Sequence, residues 1–375
     1  ASSSVQNHGV SPSSSSPSSY NYNFTSDIHL VSLTVRDDFY ILFNMSAMTS
    51  WIEHIRNVRS ITFIGPPGDY ELFRRNMALH YANIPLLDAD DDENDADATI
   101  PPVRWVNETH WITAYKNRYR CPYPSVCQQL IKLYVFDLRT RLGMRYIGNN
   151  VLVVDSDTVW GRNVTFVDPV DGKVTYFEVG GREGRDCQGM DAVKFTEAIT
   201  AGRDQTRQNE TMSPYEACRR PEHPNATGRR HIVHHMLFQH DVMMHLHSVV
   251  EERWGVTTLW QAFKLCSVQE FCKSRIAEYE LYHAFVSRNY PERVRHEALT
   301  NGEDYMGSSA ICDAREMRCC EERGVLLKGC HDHRVKMWRG HPESPASLGD
   351  MCCSSEAYGP KDAMTIHGGL LVHGL

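Results

Sequence analysis

Apolar runs alternate with helical periodicity along the first half of the chain at the spacing of an α/β sheet. Residues 28–35 (IHLVSLTV) predict a strand, 38–58 carry scattered helical periodicity, and 61–65 (ITFIG) predict a second strand closed by Pro66-Pro67-Gly68-Asp69. A helix over 70–81 and a short strand at 84–87 (IPLL) follow. Neighbouring parallel strands need a long crossover, usually a helix, so this alternation implies a mainly parallel sheet with both faces covered. Further on, Val126, Leu130, Leu133 and Tyr134 fall at i, i+4, i+7 and i+8, a helix that leaves Gln128, Gln129 and Lys132 partly off its apolar stripe. VTYFEV (174–179) predicts another strand, and Val233, Met236, Leu237, Met243, Leu246 and Val250 predict a helix over 232–250. Glu278 and Glu280 open an apolar helix that continues through Leu281, Tyr282 and Phe285.

Residues 147–160 (IGNNVLVVDSDTVW) carry most of the chemistry. A buried-type run, VLVV, stops abruptly at Asp155-Ser156-Asp157. Strand side chains alternate, so Asp155 and Asp157 are predicted to project to one side at the carboxyl end of a strand, the edge where open α/β sheets place ligands. Two carboxylates converging there repel unless a cation lies between them, and hard oxygen ligands suit Mn²⁺ or Mg²⁺. A metal-bound diphosphate is the fitting guest. Elsewhere the acidic run 88–97 (DADDDENDAD) lacks the central glycine and terminal glutamate of a calcium loop and reads as a solvated loop. Gly180-Gly181-Arg182-Glu183-Gly184 opens no clear helix, so it carries no phosphate-loop assignment.

Composition narrows the partners and the compartment. Lys plus Arg is 39 and Asp plus Glu is 47, a net of 39 − 47 = −8, which disfavours nucleic acid as a partner. The 12 cysteines are even in number, and six of them (312, 319, 320, 330, 352, 353) crowd the C-terminal segment, as in a disulfide framework. Six Asn-x-Ser/Thr sequons stand at Asn23, Asn44, Asn107, Asn163, Asn209 and Asn225, where chance gives about two or three. Both features point to the secretory route. Residues 1–22 are Ser/Pro-rich without apolar period and resemble a stalk, which implies a signal anchor once upstream of Ala1, the only membrane attachment expected; a plain secreted chain with a flexible start is the alternative.

The apolar strand, the Asp-Ser-Asp ending, the Thr158-Val159-Trp160 continuation and the amphipathic helix upstream together resemble the Asp-x-Asp strand of GT-A glycosyltransferases. Cys127-Gln128-Gln129-Leu130-Ile131-Lys132-Leu133, His234-His235-Met236-Leu237-Phe238 and Ala277-Glu278-Tyr279-Glu280-Leu281-Tyr282 recur in this order in a poorly characterised family of GT-A-like proteins, known mostly from microbes and algae. The likeness spans about residues 27–300; Ala277 stands where that family has Ser, and the tail after 310 matches nothing in it. The resemblance implies a nucleotide-diphosphosugar-transferase fold, a Mn²⁺ or Mg²⁺ cofactor, and transfer of a hexose or pentose from a UDP or GDP sugar to a hydroxyl of a glycan or glycoprotein. It implies that Asp157 ligates the metal directly and that Asp155 reaches the ribose, or the metal through water. GT-A enzymes often recruit a late histidine as a further ligand. Of His296, His331, His333, His341, His367 and His373, only His296 lies inside the resembling region.

The remaining residues fit round that expectation. Lys132 is placed to neutralise donor phosphate, Gln128 and Gln129 to bond sugar or base edges, or all three to form a surface face of a core helix. His234 and His235, expected near a helix start, suit a sugar or phosphate contact, or a satisfied structural role. One of Glu278 and Glu280 is the candidate base for the acceptor hydroxyl; two residues apart on a helix means about 200° of rotation, so only one faces a shared cleft. Cys330-His331-Asp332-His333 with Cys319-Cys320 mimics a zinc site, although in an oxidising lumen those cysteines pair with one another. The expected organisation is a stalk over 1–26, a GT-A-like catalytic domain over 27–310 and a disulfide-rich extension over 311–375, residing in the Golgi lumen as a type II ectodomain or secreted. Two other classes compete: a non-catalytic secreted carbohydrate- or protein-binding module on the same fold, and a phosphotransferase or hydrolase with Asp155 as nucleophile.

Overall fold

The computed structural model describes residues 25–44, 47–87, 100–109, 124–179, 196, 199–200, 234–267, 278–299, 305–306 and 327–329, and the statements below concern these. Stalk residues 1–24, the acidic run 88–97, the glycine-rich turn 180–184, Cys319-Cys320, Cys330-His331-Asp332-His333 and the later histidines lie outside the described residues.

The chain forms a mixed α/β structure around a mainly parallel sheet flanked by helices. Six strands lie in the order β3-β4-β2-β1-β5-β8: β1 (Ile28–Leu33), β2 (Val58–Gly65), β3 (Leu86–Leu87), β4 (Val103–Asn107), β5 (Asn150–Val154) and β8 (His235–Gln239). All neighbours are parallel except β5 and β8. Every residue of β1 and β5 is buried, as expected of central parallel strands covered on both faces. Helices α1 (Ala47–His54) and α2 (Tyr70–His80) carry the crossovers near β2, and the aromatic core includes Trp51 stacked on Phe63 and Phe73 against Trp105 at 4.7 Å. Then come α3 (Pro124–Leu133), α4 (Asp137–Thr140), α5 (His240–Trp254), α6 (Leu259–Ser267) and α7 (Glu278–Asn289). Among the described residues no helix is long and apolar enough to cross a membrane.

Two small sheets flank this layer. β6 (Thr158–Trp160) pairs antiparallel with β11 (Leu327–Gly329), which pairs in parallel with β10 (Tyr305–Met306). A strand from beyond residue 310 therefore lies directly beside the segment that follows Asp157. β7 (Val174–Val179) pairs in parallel with β9 (Val294–Leu299).

The segment around 235 departs from its periodicity. His235–Gln239 is a fully buried strand, and the helix begins only at His240 and ends on Gly255 in the left-handed region (φ 61°). Met236 and Leu237 fit a helical stripe as well as a buried strand, and pairing with β5 decides between them, since a short apolar run has no distinguishing period.

Close packing at the end of β2 constrains the loop after β1. A Cβ on Gly65 would sit 2.5 Å from the Trp105 ring and 2.7 Å from the Thr34 carbonyl oxygen. Gly65→Ala is expected to destabilise by about 1–3 kcal/mol, the usual cost of overpacking, measurable by urea unfolding.

Two buried histidines make stability pH-dependent. Burial lowers His29 and His247 from 6.5 to about 4 each; His29 bonds Ser60 at 2.9 Å, and His247 bonds the Leu133 carbonyl at 3.1 Å. Both are neutral when folded, whereas the unfolded chain protonates them below 6.5. Their contribution is therefore complete above pH 6.5 and is lost as pH falls toward and through 4, by about 3 kcal/mol each once protonation is complete. Unfolding free energies at pH 7.5 and 5 should differ by less in the variant His29→Asn, His247→Gln, whose amides keep one bond and cannot charge.

Candidate functional site

The chain leaves β1 toward β2 and β4, then returns to place β5 on the other side of β1. In open α/β sheets the crevice outside the carboxyl ends at such a reversal is the ligand position. Two acidic segments meet there. Asp38 follows β1 at the end of a 3₁₀ turn, Arg36–Asp38, and Asp155-Ser156-Asp157 follow β5. The aspartates do not extend the strand: Thr158 N–H donates to the Asp155 carbonyl at 3.0 Å, folding 155–158 into a turn that leads into β6. α1 secures that exit, since Trp51 Nε1 donates to the Thr158 carbonyl at 2.7 Å and Trp160 N–H donates to Ser50 Oγ at 3.1 Å. Ser156 Oγ donates to Asp38 Oδ2 at 2.6 Å and ties the two acidic segments together.

His234 completes the corner. It precedes β8, and its carbonyl accepts the Asp155 N–H at 2.8 Å, continuing the β5–β8 ladder. Its φ of 57° lies in the left-handed region, a conformation that costs a non-glycine residue about 1–3 kcal/mol and clusters at functional sites. The imidazole Nδ1 stands 3.3 Å from Asp155 Oδ2. One ligand atom each from Asp155, Asp157 and His234 lie within 4.8 Å of one another.

Behind Asp155 is a buried cation. Lys132, in the last turn of α3, donates from Nζ to Asp155 Oδ1 at 2.7 Å and to Glu278 Oε1 at 2.8 Å. Nζ also lies 4.4 Å from the Tyr279 ring centroid, and Tyr279 Oη donates to Asp155 Oδ1 at 3.0 Å. Gln129, one turn earlier on α3, donates its amide to the Glu278 carboxylate. Burial alone would raise Asp155, but the Lys132 charge and the bonds from His234 and Lys132 hold it well below the carboxylate range. At Glu278 burial outweighs the same lysine, and its pKa is raised. The two directions differ because Asp155 has His234 as well as Lys132 beside it, whereas Glu278 shares the lysine with the negative Asp155, which raises it further. Lys132 itself would be lowered by burial, yet Asp155 and Glu278 raise it well above its usual value, so it stays charged. Asp38 is raised by burial, and in part by the neighbouring charge of Asp157.

The donor set fits a divalent cation. Carboxylates suit Mn²⁺ or Mg²⁺, and an imidazole beside them tilts the preference toward the transition ion. Mutual repulsion between Asp38 and Asp157 is what such a charge would relieve. Asp155 Oδ1 is engaged by Lys132 and Tyr279, which leaves Oδ2, the atom facing His234, as its ligating oxygen. A carboxylate so fully bonded is a poor nucleophile, which weighs against aspartyl-phosphate chemistry.

The sequence-derived candidates thus divide. Asp155, Asp157, His234, Lys132, Gln129 and Glu278 are brought into one connected group. Gln128 is exposed on α3, and Glu280 is buried about 200° round α7 from Glu278. His235 is 2% exposed and enclosed by the rings of Trp160, Phe166 and Phe177. His296 lies in β9 beside Glu178, at 2.7 Å. Sequence reasoning passed over Asp38. Its signal was an acidic pair, Asp37-Asp38, just past the first strand of an α/β pattern, at the same sheet edge as Asp155.

No family model and no curated protein matches the chain. Among solved structures it is similar to mouse xyloside xylosyltransferase 1 in its apo form, at 10% identity and TM-score 0.40 over 81% of this chain and 97% of that one. It is similar to the apo bifunctional glycosyltransferase WbbM at 11% identity and TM-score 0.40, over 83% of this chain and 46% of that one. The galactosyltransferase LgtC, solved with donor and acceptor sugar analogues, aligns at 10% identity and TM-score 0.34 over 82% of this chain and 87% of that one. These values lie below the range in which a likeness carries an activity from one chain to another.

Proposed function

We propose that the chain is a metal-dependent glycosyltransferase of GT-A type, moving a hexose or pentose from a UDP or GDP sugar to a hydroxyl of a glycan or glycoprotein. The carrying observation is the convergence of Asp155, Asp157 and His234 at the carboxyl edge between β5 and β1. In this reading Asp157 and His234 hold Mn²⁺ or Mg²⁺ together with Asp155 Oδ2, or Asp155 bonds the donor ribose. The bound cation would neutralise charge gathering on the departing diphosphate. Lys132 is a positioning residue: enclosed by two carboxylates, it fixes the Asp155 carboxyl. Glu278, Gln129 and Tyr279 hold Lys132 and Asp155 in turn, so Glu278 is assigned to positioning and not to the acceptor proton. Asp38 and Ser156 brace the turn from the β1 side.

The catalytic domain is assigned to 27–310 and the disulfide-rich extension to 311–375, with β11 of the extension lying on β6. The secretory part of the proposal, a Golgi ectodomain or a secreted protein, is supported by a disulfide at the buried Cys266 and by the exposed sequon residue Asn163.

Thermal unfolding of the full chain with nucleoside diphosphates and nucleotide sugars, each with Mn²⁺ or EDTA, tests the donor site. A ligand at 100 times its dissociation constant adds about 2.7 kcal/mol of stability. A Mn²⁺-dependent rise in melting temperature with one base is expected. No rise with any nucleotide would overturn the transferase reading in favour of a binding module.

A further inference from the structure

We infer that Glu178, His283 and His296 form a second metal site, one that takes a zinc-type divalent cation and is built independently of the Asp155 corner. The three residues come from three elements that the fold brings together. In the β7–β9 pair, Tyr176 faces His296 and Glu178 faces Ala298, so the Glu178 and His296 side chains share one face of the ribbon, two residues out of step. α7 covers that face, with the His283 ring 5.6 Å from Tyr176 and 5.2 Å from His296, edge-on in both cases. One ligand atom each from Glu178, His283 and His296 lie within 4.8 Å of one another.

Chemistry and access both fit. Two imidazoles and one carboxylate make the mixed nitrogen and oxygen set of open zinc sites, in which a solvent molecule takes the fourth position. Glu178 and His283 are buried, whereas the His296 side chain is 42% exposed, so the group opens to solvent on one side only. With bonds of 2.0–2.1 Å, tetrahedral ligand atoms stand about 3.3 Å apart. The Glu178 Oε1 to His296 Nδ1 separation is 2.7 Å, a direct contact that must open by about 0.6 Å, within reach of a rotation of the exposed His296 ring. A cation here would pin β7 and β9 to α7, the helix whose first turn presents Glu278 and Tyr279 to the Asp155 corner.

The full chain, stripped with EDTA and kept with its cysteines oxidised, is titrated with Co²⁺ in the Asp157→Ala background, which removes the proposed donor-site metal. One equivalent is expected to bind with the visible absorption of a low-coordinate nitrogen and oxygen site and to be displaced by Zn²⁺. Adding His296→Ala, a change at an exposed side chain that leaves the core intact, should weaken Co²⁺ binding by at least about tenfold, as should Glu178→Gln. Absence of the absorption in the Asp157→Ala chain, or a titration unaltered by His296→Ala, overturns the site and leaves His296 and Glu178 as an ion pair. Nucleotide-dependent stabilisation plays no part in this readout, so its failure is separable from failure of the transferase reading.

Discussion

Asp157→Ala is expected to abolish sugar transfer while leaving the fold at least as stable as before. A bound metal acting on the leaving diphosphate supplies several kcal/mol to the transition state, and each 1.36 kcal/mol is tenfold in rate, so loss of its principal ligand should lower turnover by about 10³-fold or more. Stability should not fall, because Asp38 is raised chiefly by burial and the neighbouring charge of Asp157 adds to that. Removing one of them relieves that repulsion. Asp155→Asn provides the contrast. Asp155 is the partner of Lys132, Tyr279 and His234, so its loss should lower both turnover and melting temperature. Radiolabelled sugar transfer and thermal unfolding on the same preparations separate the two outcomes. Turnover within tenfold of the parent in Asp157→Ala would remove the metal from the proposed mechanism.

The contrast between the two aspartates follows from the turn, and the turn shows how far sequence reading reaches. The strands IHLVSL, ITFIG and NVLVV could be placed because each is a short run buried throughout and alternates with helical segments at α/β spacing, the arrangement of a covered parallel sheet. Their order could not, because hydrophobic runs carry no pairing information; that β1 lies between β2 and β5 emerges only from the ladder registers. Asp155 and Asp157 were legible because they stop an apolar strand. His234 was legible as a residue and not as a partner: a helix was expected there, and only the antiparallel pairing of β8 with β5 sets it against Asp155. His296 was expected at the Asp155 metal on the strength of a family habit. The pairing of β9 with β7 sets it against Glu178 instead, because strand register is decided by the whole ribbon and not by one side chain. Lys132 was expected at the donor phosphate or on a surface face of its helix, and no periodicity could reveal that α7 closes over it.

That closure gives the second large expectation. Lys132→Met keeps the length of the side chain and removes its charge, leaving Asp155 and Glu278 facing each other without a cation. Breaking a buried ion pair from one side costs about 3–5 kcal/mol, a large share of the stability of an ordinary domain. The pH dependence should also change sign at this site. In the parent, Asp155 is held below its unfolded pKa of 3.8, so its contribution is present above that value and lost as pH falls through the lower folded one. Without Lys132, the His234 contact still opposes burial at Asp155, but both carboxyls move up, as Glu278 already does. The folded variant then binds protons that the unfolded chain has released, so its deficit against the parent is smallest in acid and grows as pH rises through the raised pKa values. Urea unfolding at pH 5 and pH 8 should show the deficit of Lys132→Met growing with pH, and Glu278→Gln in the same chain should recover part of it by removing one uncompensated charge. At pH 5, where that deficit is smallest, transfer should still be impaired, since Asp155 no longer has the lysine that fixes its carboxyl. A Lys132→Met chain within 1 kcal/mol of the parent at both pH values would mean that water reaches the pocket and that the cluster does not position Asp155.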